Sequence, residues 1–173
     1  MSTKDPDVKS SIVEDLLMLS TLETAPRPSD EQVRMQPLLA KLKADAEALS
    51  GGRHRITLAV RGERDLLGVE SELASAFGNL ASNAIRYTPE AGEVRLIWAA
   101  DADGAEFAVE DTGIGIEKEH IPRLTERFYR VDRGRSRETG GTGLGLAIAK
   151  HALARHDAAL EIESEIGRGS RFS

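Results

Sequence analysis

Four groups of residues in this chain have types and spacings that could do chemistry. Asn79, Asn83 and Arg86 recur at i, i+4 and i+7 of a helical pattern, so their polar groups share one side of it. Asp111-Thr-Gly113-Ile-Gly115 follows directly after an apolar, strand-like run. Gly140-Gly141-Thr142-Gly143-Leu144-Gly145-Leu146 leads into another helical pattern. Between the two glycine turns lies a basic segment carrying Arg123, Arg127, Arg130, Arg133, Arg135 and Arg137 against Glu126 and Asp132.

Glycine lets a backbone approach a ligand closely, and the N–H groups that open a helix bind anions. The two turns therefore suit a nucleotide whose phosphates face Gly141 to Gly145, clamped by arginines. The carboxylate of Asp111 would then accept a hydrogen bond from a base amino group. Asparagine is a poor choice inside a helix, and two of them one turn apart ask for a reason. Their amide oxygens can serve as hard ligands to Mg²⁺, which completes its shell with phosphate oxygens and water. Each feature alone also fits a plainer role: a turn, a pair of hydrogen-bonded surface amides, a solvated arginine loop. Their combination favours the nucleotide. The common glycine motifs fit poorly and are demoted, because Leu146 stands where a P-loop requires Lys and no strand directly precedes Gly140 as a dinucleotide fold requires.

The bounds set by composition agree. A chain of 173 residues, 40% hydrophobic and 30% charged, has room for one globular domain with a small appendage. The absence of cysteine excludes disulfides and thiolate metal sites and fits an intracellular setting. The net charge of −6 argues against nucleic acid as a partner. No apolar run approaches a membrane span or a signal peptide.

The elements that must position these groups follow from periodicity. Residues 1–10 are polar and are expected to be disordered. Ile12, Leu16, Leu19 and Leu22, with Val13 and Leu17 beside them, predict a short amphipathic helix over 12–22 with little around it to pack on. It reads as the tail of a helical hairpin or a dimerisation helix, or equally as a helix lying on the domain. Residues 24–33, with Pro26, Pro28 and Ser29-Asp30, read as a linker. Helices are predicted over 35–49, 70–86 and 142–156, the middle one with Leu73, Phe77, Leu80 and Ala84 as its buried stripe. Strands are predicted over 55–60, 66–69, 94–99, 106–110, 160–164 and 169–172, with a hairpin turn at Asp101-Ala-Asp103-Gly104.

With these motifs on the page, the chain resembles sensor histidine kinases. Asn79-Leu-Ala-Ser-Asn83-Ala-Ile-Arg-Tyr-Thr-Pro89 is similar to their N box, Asp111 to Gly115 to the first glycine box, Phe128 and its neighbours to the F box, and Gly141 to Leu146 to the second glycine box. All occur in the family's order. The stretch His120-Ile-Pro-Arg-Leu-Thr-Glu-Arg-Phe-Tyr-Arg-Val-Asp132, with Thr125 where many members have Phe, is similar to the phosphate-sensing branch. The resemblance implies an α+β fold, a two-layer α/β sandwich of the histidine-kinase and gyrase ATP-binding type, with a mixed sheet under three helices. Residues 1–23 would hold the end of the second helix of a dimerisation and phosphoacceptor hairpin, 24–33 a linker, and 34–173 the catalytic and ATP-binding domain.

The resemblance further implies ATP and Mg²⁺ as ligands. Asn79 and Asn83 would hold the metal, Asp111 the adenine amino group, Tyr87 the base, and Arg86 and Arg130 the phosphates, with Asn79 and Arg130 catalytic. Gly113, Gly115, Ile116, Tyr129, Gly141, Thr142, Gly143, Leu144, Gly145 and Leu146 would complete the nucleotide site. Most members have Lys at the Arg86 position. The parent protein is expected to be a membrane-anchored homodimer whose cytoplasmic part passes phosphate to a response regulator. None of His54, His120, His151 and His156 sits in a phosphoacceptor box, so the acceptor is expected on a hairpin missing from this chain. Related ATPases carry Glu at the Asn79 position to activate water. An amide cannot take that proton, which favours transfer to an imidazole over hydrolysis. The competing readings are a non-catalytic nucleotide-binding regulatory module and a serine kinase or ATPase of the same superfamily.

Overall fold

The computed structural model of the chain describes residues 6–26, 31–131 and 141–173. In chain order the elements are α1 (Pro6–Thr24), β1 (Glu31–Val33), α2 (Met35–Ser50), β2 (Arg55–Arg61), β3 (Leu66–Gly68), α3 (Glu70–Tyr87), β4 (Glu93–Ala100), β5 (Ala105–Asp111), a short 3₁₀ turn (Ile121–Arg123), α4 (Gly145–Arg155), β6 (Ile162–Glu165) and β7 (Gly169–Phe172). Five strands form a sheet in the order β2-β4-β5-β7-β6. The β2 and β4 pair is parallel and the other pairs are antiparallel, so the sheet is mixed. This is the expected two-layer α+β architecture, with α2, α3 and α4 as the helical layer.

Alternation along the central hairpin decides which face is covered. Val94, Leu96 and Trp98 of β4 stand opposite Asp111, Val109 and Phe107 of β5. All of these except Asp111 are at most 5% exposed, and Phe107 packs its ring 4.5 Å from that of Phe77 on α3. Asp111 continues the parity of Phe107 and Val109, so it faces the helix layer at the strand's end. On the other face Arg171 pairs with Glu106 and Glu110, and Arg95 with Glu110 and Glu93, as a solvated face requires. The guanidinium of Arg171 is raised above its ordinary pKa, chiefly by its hydrogen bond to Glu106.

Several elements depart from the sequence expectation. β1 forms inside the stretch expected as linker, because Glu31 to Val33 pair antiparallel with β3 in a separate two-stranded sheet. That pairing also brings Asp65 to the start of α2. Its carboxylate accepts the Met35 N–H at 3.0 Å and a Gln32 amide hydrogen at 2.8 Å, and the Met35 contact leads in lowering its pKa. Helix α2 stops where Gly51 turns left-handed at φ 59° and donates its N–H to the Glu47 carbonyl.

α1 begins at Pro6, within residues expected to be disordered, and it does not lie without support. It packs on α4 through Leu19 and Leu22, each 2% exposed, with Ile12 and Met18 partly buried. The sequence stripe was misassigned in part, since Val13, Leu16 and Leu17 point to solvent. Burying the two leucines contributes roughly 3 to 6 kcal/mol, which stabilises a helix that is marginal in isolation.

Candidate functional site

The helix layer and the sheet leave a cavity of about 510 Å³ between α3, α4, the end of β5 and the loop after it. Asn79, Asn83, Arg86, Tyr87, Asp111, Gly115, Ile116, Tyr129, Arg130, Gly141, Thr142, Gly143, Gly145 and Leu146 all line it. Gly113 and Leu144 do not. Gly113 is buried one step back and Leu144 belongs to the core. Of the basic segment, Arg133, Arg135 and Arg137 lie outside the described residues, as does Gly140 of the second glycine turn and Pro28 to Asp30 of the expected linker.

α3 presents its apolar stripe to the sheet and to α2, which turns Asn79, Asn83 and Arg86 toward the cavity as half-buried groups. The Asn79 amide nitrogen donates to the Ser75 carbonyl oxygen at 2.8 Å. Its Oδ1 lies against Gly145, where a Cβ would stand 2.8 Å away, so glycine there lets α4 approach α3 without displacing the amide. An amide oxygen left pointing at a helix N-terminus in a polar cavity is a suitable ligand for a hard cation. Burial depresses the Arg86 guanidinium below its ordinary pKa, with Tyr87 and Asp15 opposing the shift and Arg130 adding to it. Arg86 and Arg130 therefore form a partly desolvated cationic pair, and their mutual repulsion is relieved by an anion.

Asp111 Oδ1 accepts the N–H of Gly113 at 2.9 Å and that of Ser170 at 3.2 Å. Those bonds fix the carboxylate and leave Oδ2 without a hydrogen-bond partner among the described residues. Burial raises the Asp111 pKa above 3.8, and the two N–H groups act against it. The first glycine turn is strapped to the β6 and β7 hairpin, since Ile116 N–H donates to Ser164 Oγ and Gly167 N–H to the Ile114 carbonyl. Ile114 and Ile166, 40% and 58% exposed, form an apolar lip at the same end of the cavity.

The second glycine turn differs from the predicted helix start. α4 begins at Gly145 instead of Thr142, because Gly143 is left-handed at φ 78° and Thr142 Oγ1 accepts the Leu144 N–H at 3.2 Å. The opening N–H groups of α4 have no partner within the helix and border the cavity, which is the arrangement that binds phosphate. Phe128, itself at φ 63°, donates its N–H to the Gly143 carbonyl at 2.8 Å. Tyr129 is held by His120 through its hydroxyl and by the Arg123 guanidinium 4.4 Å from its ring centre. Sequence reasoning missed Ser11, Glu14 and Asp15 of α1 and Ser170 and Phe172 of β7, which also line the cavity. Only the acidic interruption of the α1 stripe could have flagged the first group.

A mixed sheet under three helices, with a cavity bordered by an asparagine helix, an aspartate at a strand end and a helix N-terminus, defines a class. Residues 68–173 match the family described as histidine kinase-, DNA gyrase B-, and HSP90-like ATPase, and the chain belongs to that family. It is 54% identical over 165 residues to the phosphate regulon sensor protein PhoR of Pseudomonas aeruginosa, covering 94% of this chain and 37% of that protein. It is 38% identical to the PhoR of Haemophilus influenzae, covering 94% and 38% of the two chains. Full-length ShkA, solved in complex with AMPPNP, superposes with a TM-score of 0.80 at 31% identity over 94% of this chain and 34% of that one. The chain thus spans well under half the length of these relatives.

Proposed function

We propose that this chain is the phosphoryl-donating part of a two-component sensor histidine kinase of the phosphate-sensing type. In this reading residues 34–173 bind ATP, residues 24–33 link them to the hairpin, and residues 1–23 carry the end of the hairpin's second helix. The observation that carries the proposal is the fixed amide of Asn79, turned toward Gly145 at the opening of α4. It offers an oxygen to a cation beside a phosphate site, and it offers no base to activate water.

The roles follow from what each group can do. Asp111 Oδ2 accepts from the adenine amino group while Oδ1 stays on its two backbone donors. Tyr87 and Ile116 flank the base. Arg86, Arg130, Tyr129 and the turn from Gly141 to Leu146 hold the phosphates. The fixed amide oxygen of Asn79, with Asn83 beside it, fits Mg²⁺, which when bound neutralises phosphate charge. An incoming neutral imidazole forms its bond to the γ-phosphorus as the bond to the ADP oxygen breaks, and the ring proton passes to solvent. Positioning and charge supply most of the catalysis, and Arg130 is the side chain best placed to meet charge on the transferred group.

The sensor names of the relatives support a response regulator as the eventual acceptor, and the same reading expects a homodimeric, membrane-anchored parent. No described helix is long and apolar enough to cross a membrane. Titration with a fluorescent ATP analogue tests the binding half. ATP and ADP should displace it and GTP should not, whereas equal displacement by GTP would reject the role of Asp111.

A further inference from the structure

α1 brings a carboxylate into the nucleotide cavity. The face it turns to the domain runs through Ile12, Asp15, Leu19 and Leu22, helical spacing with one acidic residue in an apolar stripe. The Asp15 carboxylate accepts a hydrogen bond from Thr142 Oγ1 at 2.6 Å. Thr142 is 9% exposed, and its oxygen already receives the Leu144 N–H of the second glycine turn. Asp15 borders the cavity together with Asn79, Arg86 and Arg130, and its charge is among those that favour the protonated form of Arg86.

At its other end α1 is anchored independently. Arg155 donates to the carbonyls of Leu22, Ala25 and Pro26 while pairing with the buried Glu72. Glu23 pairs with Arg127. The helix is therefore tethered near its C-terminus and touches the cavity through the turn that holds Asp15.

We propose that Asp15 is an internal anion at the phosphate end of the nucleotide cavity, so that docking of α1 and binding of nucleotide phosphates oppose one another. Resting on the ATP reading given above, this predicts a penalty that grows with phosphate charge. Adenosine does not meet the carboxylate, ADP meets it weakly, and ATP meets it most. By reciprocity, ATP loosens the turn of α1 around Asp15 while the Arg155 anchor holds. The kinase would thus couple loading of its donor to release of the hairpin helix.

The test uses the full chain and its Asp15→Asn variant, which keeps the shape and the acceptor oxygen and loses the charge. Glu63→Gln, the same change in charge at an exposed residue that neither lines the cavity nor belongs to α1, is the control. Dissociation constants for adenosine, ADP and ATP are measured by calorimetry with Mg²⁺ present, after thermal melting has shown that all three proteins fold. Asp15→Asn should bind ATP about tenfold more tightly, ADP with a smaller gain, and adenosine unchanged. Hydrogen exchange across residues 11–17 should quicken on adding ATP to the unaltered chain. An ATP affinity that is unchanged or weaker in Asp15→Asn overturns the proposal, as does the same gain in Glu63→Gln or an equal gain for adenosine. Failure of every protein to bind ATP overturns the nucleotide reading itself, a result distinct from the others.

Discussion

The amide oxygen of Asn79 and the Cα of Gly145 are packed so closely that a Cβ between α3 and α4 would have to displace the amide. A Cβ at Gly145 would stand 2.8 Å from Asn79 Oδ1, and moving the amide aside would give up the bond from its nitrogen to Ser75. The N-terminus of α4 and the polar side of α3 are thereby locked into one wall. A ligand that spans them meets an oxygen ligand for a cation and a row of N–H donors for an anion together, which is what a metal-bound polyphosphate requires.

From that wall follows the effect of Asn83→Ala. The residue is half-buried on the cavity side of α3, and the apolar stripe beside it is untouched. Mg-ATP affinity should fall by about a hundredfold, the size expected for losing a contact to a charged ligand, while the melting temperature stays within a few degrees. Calorimetry and thermal melting on the same sample check both halves, and unchanged affinity would leave Asn83 an ordinary surface amide.

Much of this site was legible in the sequence because its parts are local. The spacing of Asn79, Asn83 and Arg86 sets their shared side whatever packs around α3, and Asp111 is placed by strand parity. What was not legible is long-range. Asp65 supports the start of α2 only because β1 pairs with β3, and the three residues of β1, unlike the strand expected over 66–69, carry no period to read. Ser170 reaches Asp111 through a sheet order in which β7 lies beside β5. The buried face of α1 could not be chosen from two overlapping apolar stripes, so Asp15 went unnoticed.

Asp111 gives a pH-dependent prediction. Its folded pKa lies above 3.8, so between that value and its folded value the native state holds more protons than the unfolded state. Stability contributed by this group therefore falls as pH rises through that window and is lowest once the carboxyl has ionised. Asp111→Asn should remove that slope, seen as a difference between the two stability profiles, and should not lower stability at neutral pH. It should weaken ATP binding, because an amide nitrogen turned to the base opposes its amino group. A variant that binds ATP as well as the unaltered protein would contradict the assignment of the base.

Gly143→Ala tests the coupling of the second glycine turn to the segment around Phe128. At φ 78° a side chain is strained, and the added Cβ would stand 2.9 Å from Phe128 Cα. A cost of about 1 to 3 kcal/mol is expected, together with weaker ATP binding as Tyr129 and Arg130 shift. Denaturant unfolding and nucleotide titration read the two effects.

Arg155→Ala should be the more damaging change to the fold, although it lies away from the cavity. It leaves Glu72, 8% exposed, without its partner and frees the carbonyls at the end of α1. A loss of about 3 kcal/mol is expected in chemical denaturation. Restoring Lys should recover only part of it, since an ammonium cannot reproduce the fork that reaches Glu72 and three carbonyls.

Transfer of the ATP γ-phosphoryl to a histidine on a hairpin supplied by the parent kinase, as proposed above, is tested most directly by labelling. The chain is incubated with γ-labelled ATP and Mg²⁺, alone and with a separate fragment carrying that hairpin. Alone it should bind ATP and remain unlabelled. With the fragment, label should appear slowly on the hairpin, acid-labile and base-stable, the slowness reflecting the local concentration lost when the halves are separate. Label that resists acid, as on a hydroxyl side chain, or steady release of phosphate without any acceptor, would contradict the account.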